Sequence, residues 1–331
     1  MTRAEAMRLI GAALLFAVGA VASAQPASKA KPWRIGWVGS SSAAIQASSL
    51  RNFREGLADL GYVEGRNVVI EPRNGGGDAR RLGELVAELE RAQVDVIVTS
   101  GEAAALSAKR AARSTPIVVT ELSLDPVKAG LVASLGRPDG NVTGIATLSE
   151  ELWPKRLALL KQIAPRVARP AVIWNPDNPG NPSCVDEIRA VAPQLGMQPS
   201  FIEVRDLAAL EPALRTVAEG KTDALALCWD DVTMANARRI ADFALTRRLP
   251  LVAPLREYAE AGALISLGAS LPVQRRRAAY YVDRILKGAK PSSLPLEQPT
   301  QFELVNNQVT ARGLGIVFPG ELLVLADDVI H

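Results

Sequence analysis

Short apolar runs alternate with amphipathic helical stretches along this chain, and the alternation starts again near residue 147. In the first half, Arg34–Val38, Asn67–Glu71, Asp95–Thr99, Pro116–Thr120 and Asn141–Gly144 read as strands. Their runs lack the polar alternation of a strand with one wet face, so helices should cover both sides. Leu50–Leu60, Ala79–Ala92, Ala103–Ala112 and Pro126–Leu135 carry the helical period between them. The second half repeats the scheme. Strands at Pro170–Trp174, Gln198–Val204, Asp223–Leu227 and Pro250–Ala253 alternate with helices at Glu151–Ile163, Ser183–Leu195, Leu207–Glu219 and Met234–Arg247. Short connections of this kind build right-handed parallel βαβ units. The expected fold class is therefore α/β, with two doubly wound Rossmann-like lobes built on parallel sheets. After Ala253 the rhythm changes: a strand at Leu264–Leu267, a helix at Pro272–Leu286, a proline-rich stretch and a strand at Phe302–Val305. Such a tail can cross back between the lobes.

The N-terminus bears on location. Arg3 and Arg8 precede an apolar run from Leu9 to Val21, followed by Ala22-Ser23-Ala24 and Gln25-Pro26. That is the pattern of a secretory signal peptide over residues 1–24, cut after Ala24. The run is shorter than the roughly 20 residues that cross a bilayer. The expectation is a mature chain without a membrane span, in the periplasm. Cys184 and Cys228 are the only cysteines. An oxidising compartment permits a bridge, but the strand-end position of Cys228 and the helix-start position of Cys184 favour two unpaired small core residues.

Several function classes are disfavoured. Lys+Arg total 38 against Asp+Glu 35, a formal charge of +3, without the concentrated basic face that nucleic acid requires. The densest basic run, Arg275-Arg276-Arg277, reads as a solvated helix face. The single histidine is His331, which disfavours Ser-His-Asp catalysis and His-ligated metal. Gly75-Gly76-Gly77 has no following Lys-Ser/Thr, so it is a turn and not a phosphate loop. No cofactor, metal site or enzymatic activity is expected.

In open parallel sheets ligands bind beyond the carboxyl ends of the strands. Reading off those positions gives Ser40, Ser41 and Ser42, then Ser100, Gly101 and Glu102, then the loop carrying Glu121, Leu122, Ser123 and Asp125. The second half supplies Asn175, Trp229, Asp230, Arg256 and Glu257. Hydroxyls and free amides suit an anionic group, acidic groups suit an ammonium, and Trp229 offers a stacking surface. Local duties compete for some of them. Ser42 and Asp125 are natural helix caps.

Several segments resemble the ABC-transporter substrate-binding proteins of the tryptophan/tyrosine type. They include Gly56-Leu57-Ala58-Asp59-Leu60-Gly61-Tyr62, Asp125-Pro126-Val127-Lys128-Ala129-Gly130-Leu131 and Arg137-Pro138-Asp139-Gly140-Asn141-Val142-Thr143-Gly144. Asn175-Pro176-Asp177-Asn178-Pro179, Arg256-Glu257-Tyr258 and Gly288-Ala289-Lys290-Pro291 continue the likeness, which covers nearly all of residues 33–331. It implies a type I periplasmic-binding-protein fold joined by a three-segment hinge near residues 145–150, 266–271 and 297–302. The implied division is 33–146 plus 269–298 for one lobe and 147–267 plus 299–331 for the other. The implied partners are a small-molecule ligand, such as an amino acid or small aromatic acid, and an inner-membrane ABC permease. A periplasmic sensor with the same fold is the alternative. Glu102 and Glu121 stand where relatives more often carry small residues, which points to a changed ligand preference.

Overall fold

The computed structural model describes residues 31–76 and 78–331. The signal peptide expected over 1–24 lies outside the described residues. The first sheet holds β1 (Trp33–Gly39), β2 (Val68–Asn74), β3 (Val96–Ser100), β4 (Ile117–Val119) and β5 (Val142–Gly144). Its order is β2-β1-β3-β4-β5, and every pairing is parallel. Helices α1 (Ala43–Asp59), α2 (Leu82–Arg91) and α3 (Glu102–Ala111) make its crossovers. The apolar runs explain this arrangement, because β3 and β4 are buried at every position.

The second lobe contains α4 (Trp153–Ile163), β6 (Pro170–Trp174), α5 (Asn181–Val191), β7 (Ser200–Glu203), α6 (Leu207–Glu219) and β8 (Ala224–Leu227). It continues with α7 (Asp231–Ala235), α8 (Ala237–Thr246), β9 (Leu251–Ala253), α9 (Arg256–Glu260) and β10 (Ile265–Gly268). The chain then forms α10 (Leu271–Leu286), β11 (Glu303–Asn307), α11 (Gln308–Leu314), α12 (Gly320–Leu325) and β12 (Asp328–Ile330). The second sheet runs β12-β11-β10-β9-β8-β6-β7. It is parallel except where β11 returns antiparallel to β10, in the tail where the βα rhythm of the sequence changes.

Three passages join the sheets: from β5 to α4, from β10 to α10, and from Glu297 to β11. The middle one matters most for the first lobe. Although α10 follows the second lobe in sequence, its Ala278, Ala279, Tyr281, Val282 and Ile285 share a core with Ile35, Trp37, Phe53 and Leu57. At the α1–α10 crossing a Cβ on Gly56 would stand 2.4 Å from the Arg276 carbonyl oxygen, so only glycine allows this approach.

The passages are tied to each other by buried polar groups. Arg156 of α4 is fully buried; its Nε donates to Leu267 O, its Nη1 to Ser149 O and its Nη2 to Ser149 Oγ, all at 2.8 Å. One guanidinium thus grips the first passage and the end of β10 together. Thr147 Oγ1 donates to Gln274 Oε1 at 2.6 Å, linking the first passage to α10. Glu150 sits beside Arg156 and accepts the Trp153 indole N–H at 2.8 Å. Burial raises the Glu150 carboxyl to about 7, opposed in part by the Arg156 charge.

Two sequence expectations are corrected here. Residues 126–135 do not form a helix. Asp125 caps a single turn through Val127 N, Gly130 adopts φ 71°, and Leu131 N returns to Pro126 O at 2.9 Å. That is a Schellman stop after one turn, and Leu131 and Val132 then enter the core. Cys184 and Cys228 form a disulfide with Cα atoms 6.1 Å apart. The sequence reading did not foresee that α5 packs its first turns over the end of β8, bringing the two within bridging reach.

Candidate functional site

Loops at the carboxyl ends of both sheets meet at one seam. Beyond β1, Ser40 Oγ donates to Asp231 Oδ2 at 2.9 Å and Ser41 Oγ to Asp231 Oδ1 at 2.8 Å. Both bonds run between lobes. Ser42 is exposed and caps α1 through Ile45 N, so its hydroxyl serves the helix.

Beyond β3 and β4 the first lobe buries two carboxylates. Glu121, 1% exposed, accepts Ser100 Oγ at 2.8 Å and also the Thr120 hydroxyl. Arg275 Nη2 of α10 lies 3.4 Å from Glu121 Oε1. Glu102 accepts both the backbone N–H and the hydroxyl of Ser123, at 2.8 and 2.7 Å. Burial pushes the Glu102 carboxyl up, and the two Ser123 bonds only partly offset this. Gly101 precedes α3 with φ 87°, a left-handed conformation that favours glycine. Leu122 is buried in the core, and its carbonyl receives Thr147 N and Leu148 N, anchoring the first passage between the lobes. Asp125 is occupied as the turn cap described above.

The second lobe answers with Asp230, Asp231 and the asparagines after β6. Asp230 caps α7 through Val232 N at 2.8 Å and also accepts Asn175 Nδ2 and Asn178 Nδ2, at 3.1 and 3.2 Å. Asn175 and Asp230 therefore form one rigid polar shelf. Desolvation raises the Asp230 and Asp231 carboxyls; for Asp231 the serine bonds and Arg275 pull back while Glu121 pushes further up. Trp229 is 9% exposed and packs with Val204, Leu227 and Leu255 in the second core, while its carbonyl accepts Asn181 Nδ2 at 2.7 Å.

The lobes touch backbone to side chain as well. Gly180, just before α5, approaches Ser123 so closely that a Cβ there would lie 2.6 Å from Ser123 Oγ and 3.4 Å from the Glu102 side chain.

The two α9 candidates divide. Arg256 is turned to the sheet edge, where it pairs with Glu303 at 3.1 Å and with Asp328 at 2.5 Å. Glu257 stays in the field of Arg275, with burial raising its carboxyl. The structure thus brings Ser40, Ser41, Ser100, Glu121 and Glu257 into one neighbourhood and leaves Arg256 outside it.

Two groups escaped the sequence reading. Arg275 was assigned to a solvated face, yet it is 5% exposed while its neighbours Arg276 and Arg277 stand in surface ion pairs with Glu55, Asp59 and Glu297. The buried face of α10 also carries Gln274 and Ala278, and that helical spacing was the available signal. Asp231 lies in the same strand-end stretch as Trp229 and Asp230, but its bonds to Ser40 and Ser41 in the other lobe leave no local signal.

This chain belongs to the ABC transporter substrate binding protein family, whose model matches residues 44–330. It is similar to a tyrosine-binding protein of Clostridioides difficile (strain R20291), 25% identical over 265 residues that cover 80% of this chain and 75% of that protein. A conserved domain protein from Vibrio cholerae superposes with a TM-score of 0.83 at 26% identity, covering 90% of this chain and all, 100%, of the other. An ABC domain in complex with L-Trp from Streptococcus pneumoniae gives 0.82 at 24% identity, with 91% and 100% coverage. The two-lobed periplasmic-binding-protein fold is common to them.

Proposed function

We propose that this protein is the extracytoplasmic solute-binding component of an ABC importer, closing on an amino acid, an aromatic one foremost, between its lobes. The supporting observation is the direct bonding of Ser40 and Ser41 to Asp231 across the seam, which couples lobe approach to contacts at the strand tips. The relatives that bind tyrosine and L-Trp favour the aromatic class. The lobes would be 33–146 plus 269–298 and 147–267 plus 299–331, moving as rigid bodies about the three passages. The closed face would then dock on an inner-membrane permease. Delivery to the periplasm would follow signal-peptide removal after Ala24; among the described residues no helix is long and apolar enough to cross a membrane.

No covalent step is needed for this role. The site works by reversible hydrogen bonds and charge pairing, and the family is one of solute binders. The test is titration of the purified mature protein with L-tyrosine and L-tryptophan, followed by thermal unfolding and small-angle scattering. Ligand at a hundred times its dissociation constant should add about 2.7 kcal/mol of stability. An unmoved melting curve with every amino acid would overturn the amino-acid reading.

A further inference from the structure

The charges at the seam do not balance, and the imbalance has a direction. Arg275 Nη2 lies 3.4 Å from Glu121, and Asp231 and Glu257 also lie in the field of this guanidinium. The partners that satisfy Asp231 are the neutral hydroxyls of Ser40 and Ser41, which donate hydrogen bonds without discharging it. Glu121 likewise draws on the hydroxyls of Ser100 and Thr120 besides Arg275. Arg275 itself is incompletely used: among the described residues its Nε has no hydrogen-bond partner, although the side chain is 5% exposed. A buried guanidinium N–H without an acceptor is costly and awaits an acceptor atom.

Resting on the solute-binding reading above, we propose that the seam selects its ligand by an ammonium group, taking an organic amine that also carries a hydrogen-bond acceptor. Asp231, Glu121 and Glu257 are the counter-charges that read the amine, and Arg275 Nε donates to the acceptor. On entry the ammonium takes the place of the serine hydroxyls at Asp231, exchanging neutral donors for a charged one, which strengthens the bond. A carboxylic acid without an amine brings a further negative charge into a seam that already holds an excess, and is rejected by like-charge repulsion. This sets the chain apart from a general receptor for aromatic acids.

The experiment uses matched triplets of amine, amino acid and acid on three frames. The phenol frame is tyramine, L-tyrosine and desaminotyrosine. The indole frame is tryptamine, L-tryptophan and indole propionate, and the alkyl frame is pentylamine, norleucine and hexanoate. Calorimetry on the mature protein should rank the amino acid, which carries both ammonium and acceptor, at or above the amine, with both at least about thirtyfold tighter than the acid. Asp231→Asn should weaken the two amine-bearing members by about thirtyfold and leave the acid unchanged or improved. Glu121→Gln, which keeps one acceptor oxygen for Ser100, should shift the ranking the same way and serves if Asp231→Asn does not fold. The double change Ser40→Ala with Ser41→Ala, which takes the neutral donors from Asp231, should tighten both amine-bearing members relative to the acid. An acid that binds as tightly as its amine, or a ranking untouched by both carboxylate variants, overturns the proposal and leaves the solute-binding reading standing. Failure of every frame to bind removes the small-amine and amino-acid readings together.

Discussion

The two lobes build the same layered core and secure it by different means. The first relies on a helix from beyond the second lobe in sequence: α10 follows β10 and packs across α1 at Gly56. The second relies on a covalent bridge from α5 to the residue after β8. The contrast teaches that similar βα layers do not imply similar dependence on the rest of the chain. One lobe is completed by long-range packing, the other by oxidation, and the passages between them are held by Arg156.

Removing the shared clamp should blur the contrast most. Arg156→Leu leaves Leu267 O, Ser149 O and Ser149 Oγ without their donor in a dry interior and should cost about 3–5 kcal/mol, read by urea unfolding. Deleting the bridge with Cys184→Ala and Cys228→Ala should cost about 2–4 kcal/mol. Hydrogen exchange should speed up in the second lobe and stay level in the first; a loss spread evenly over both would break the comparison. Glu150 gives a pH test of the junction. Its carboxyl is raised to about 7 by burial, so the folded state holds the proton more tightly than the unfolded chain does. Stability is therefore full below the ordinary carboxylate range, falls as pH rises toward about 7, and is level above it. Glu150→Gln should flatten that slope, a gain on the order of 2 kcal/mol at pH 8. Gly56→Ala should cost about 1–3 kcal/mol, because the added carbon meets backbone rather than a yielding side chain. Its exchange signature should be the reverse of the disulfide variant, confined to the first lobe. Gly180→Ala should change unfolding by less than about 0.5 kcal/mol, since φ −81° suits alanine. The new methyl meets Ser123 only when the lobes touch, so ligand affinity should drop while stability holds.

Much of this was readable beforehand where periodicity and local chemistry agree. Pro170–Trp174 and Leu207–Glu219 coincide with β6 and α6, because apolar runs and a helical stripe leave little alternative. Residues 126–135 misled because their apolar spacing is helical while Gly130 imposes a stop that spacing alone does not reveal. The disulfide was missed because it depends on how α5 lies on the sheet, which no local pattern encodes. Strand-end logic placed Ser40, Ser41, Ser100 and Glu121 at strand ends, because topology alone puts them at the tips. It could not say that the partner of the serines is Asp231, because that bond joins residues 191 and 190 positions apart. Arg275 was hidden in a basic triplet, where only the facing of α10 separates a buried guanidinium from two wet ones.

The return of α10 also bears on when the chain can fold. A nascent segment ending at Leu264 would contain all of β1 to β5 yet lack Ala278 to Leu294, leaving Trp37 and Phe53 uncovered. The first lobe to emerge is thus closed only after most of the second has appeared, and the second waits longer still, for β11 and β12.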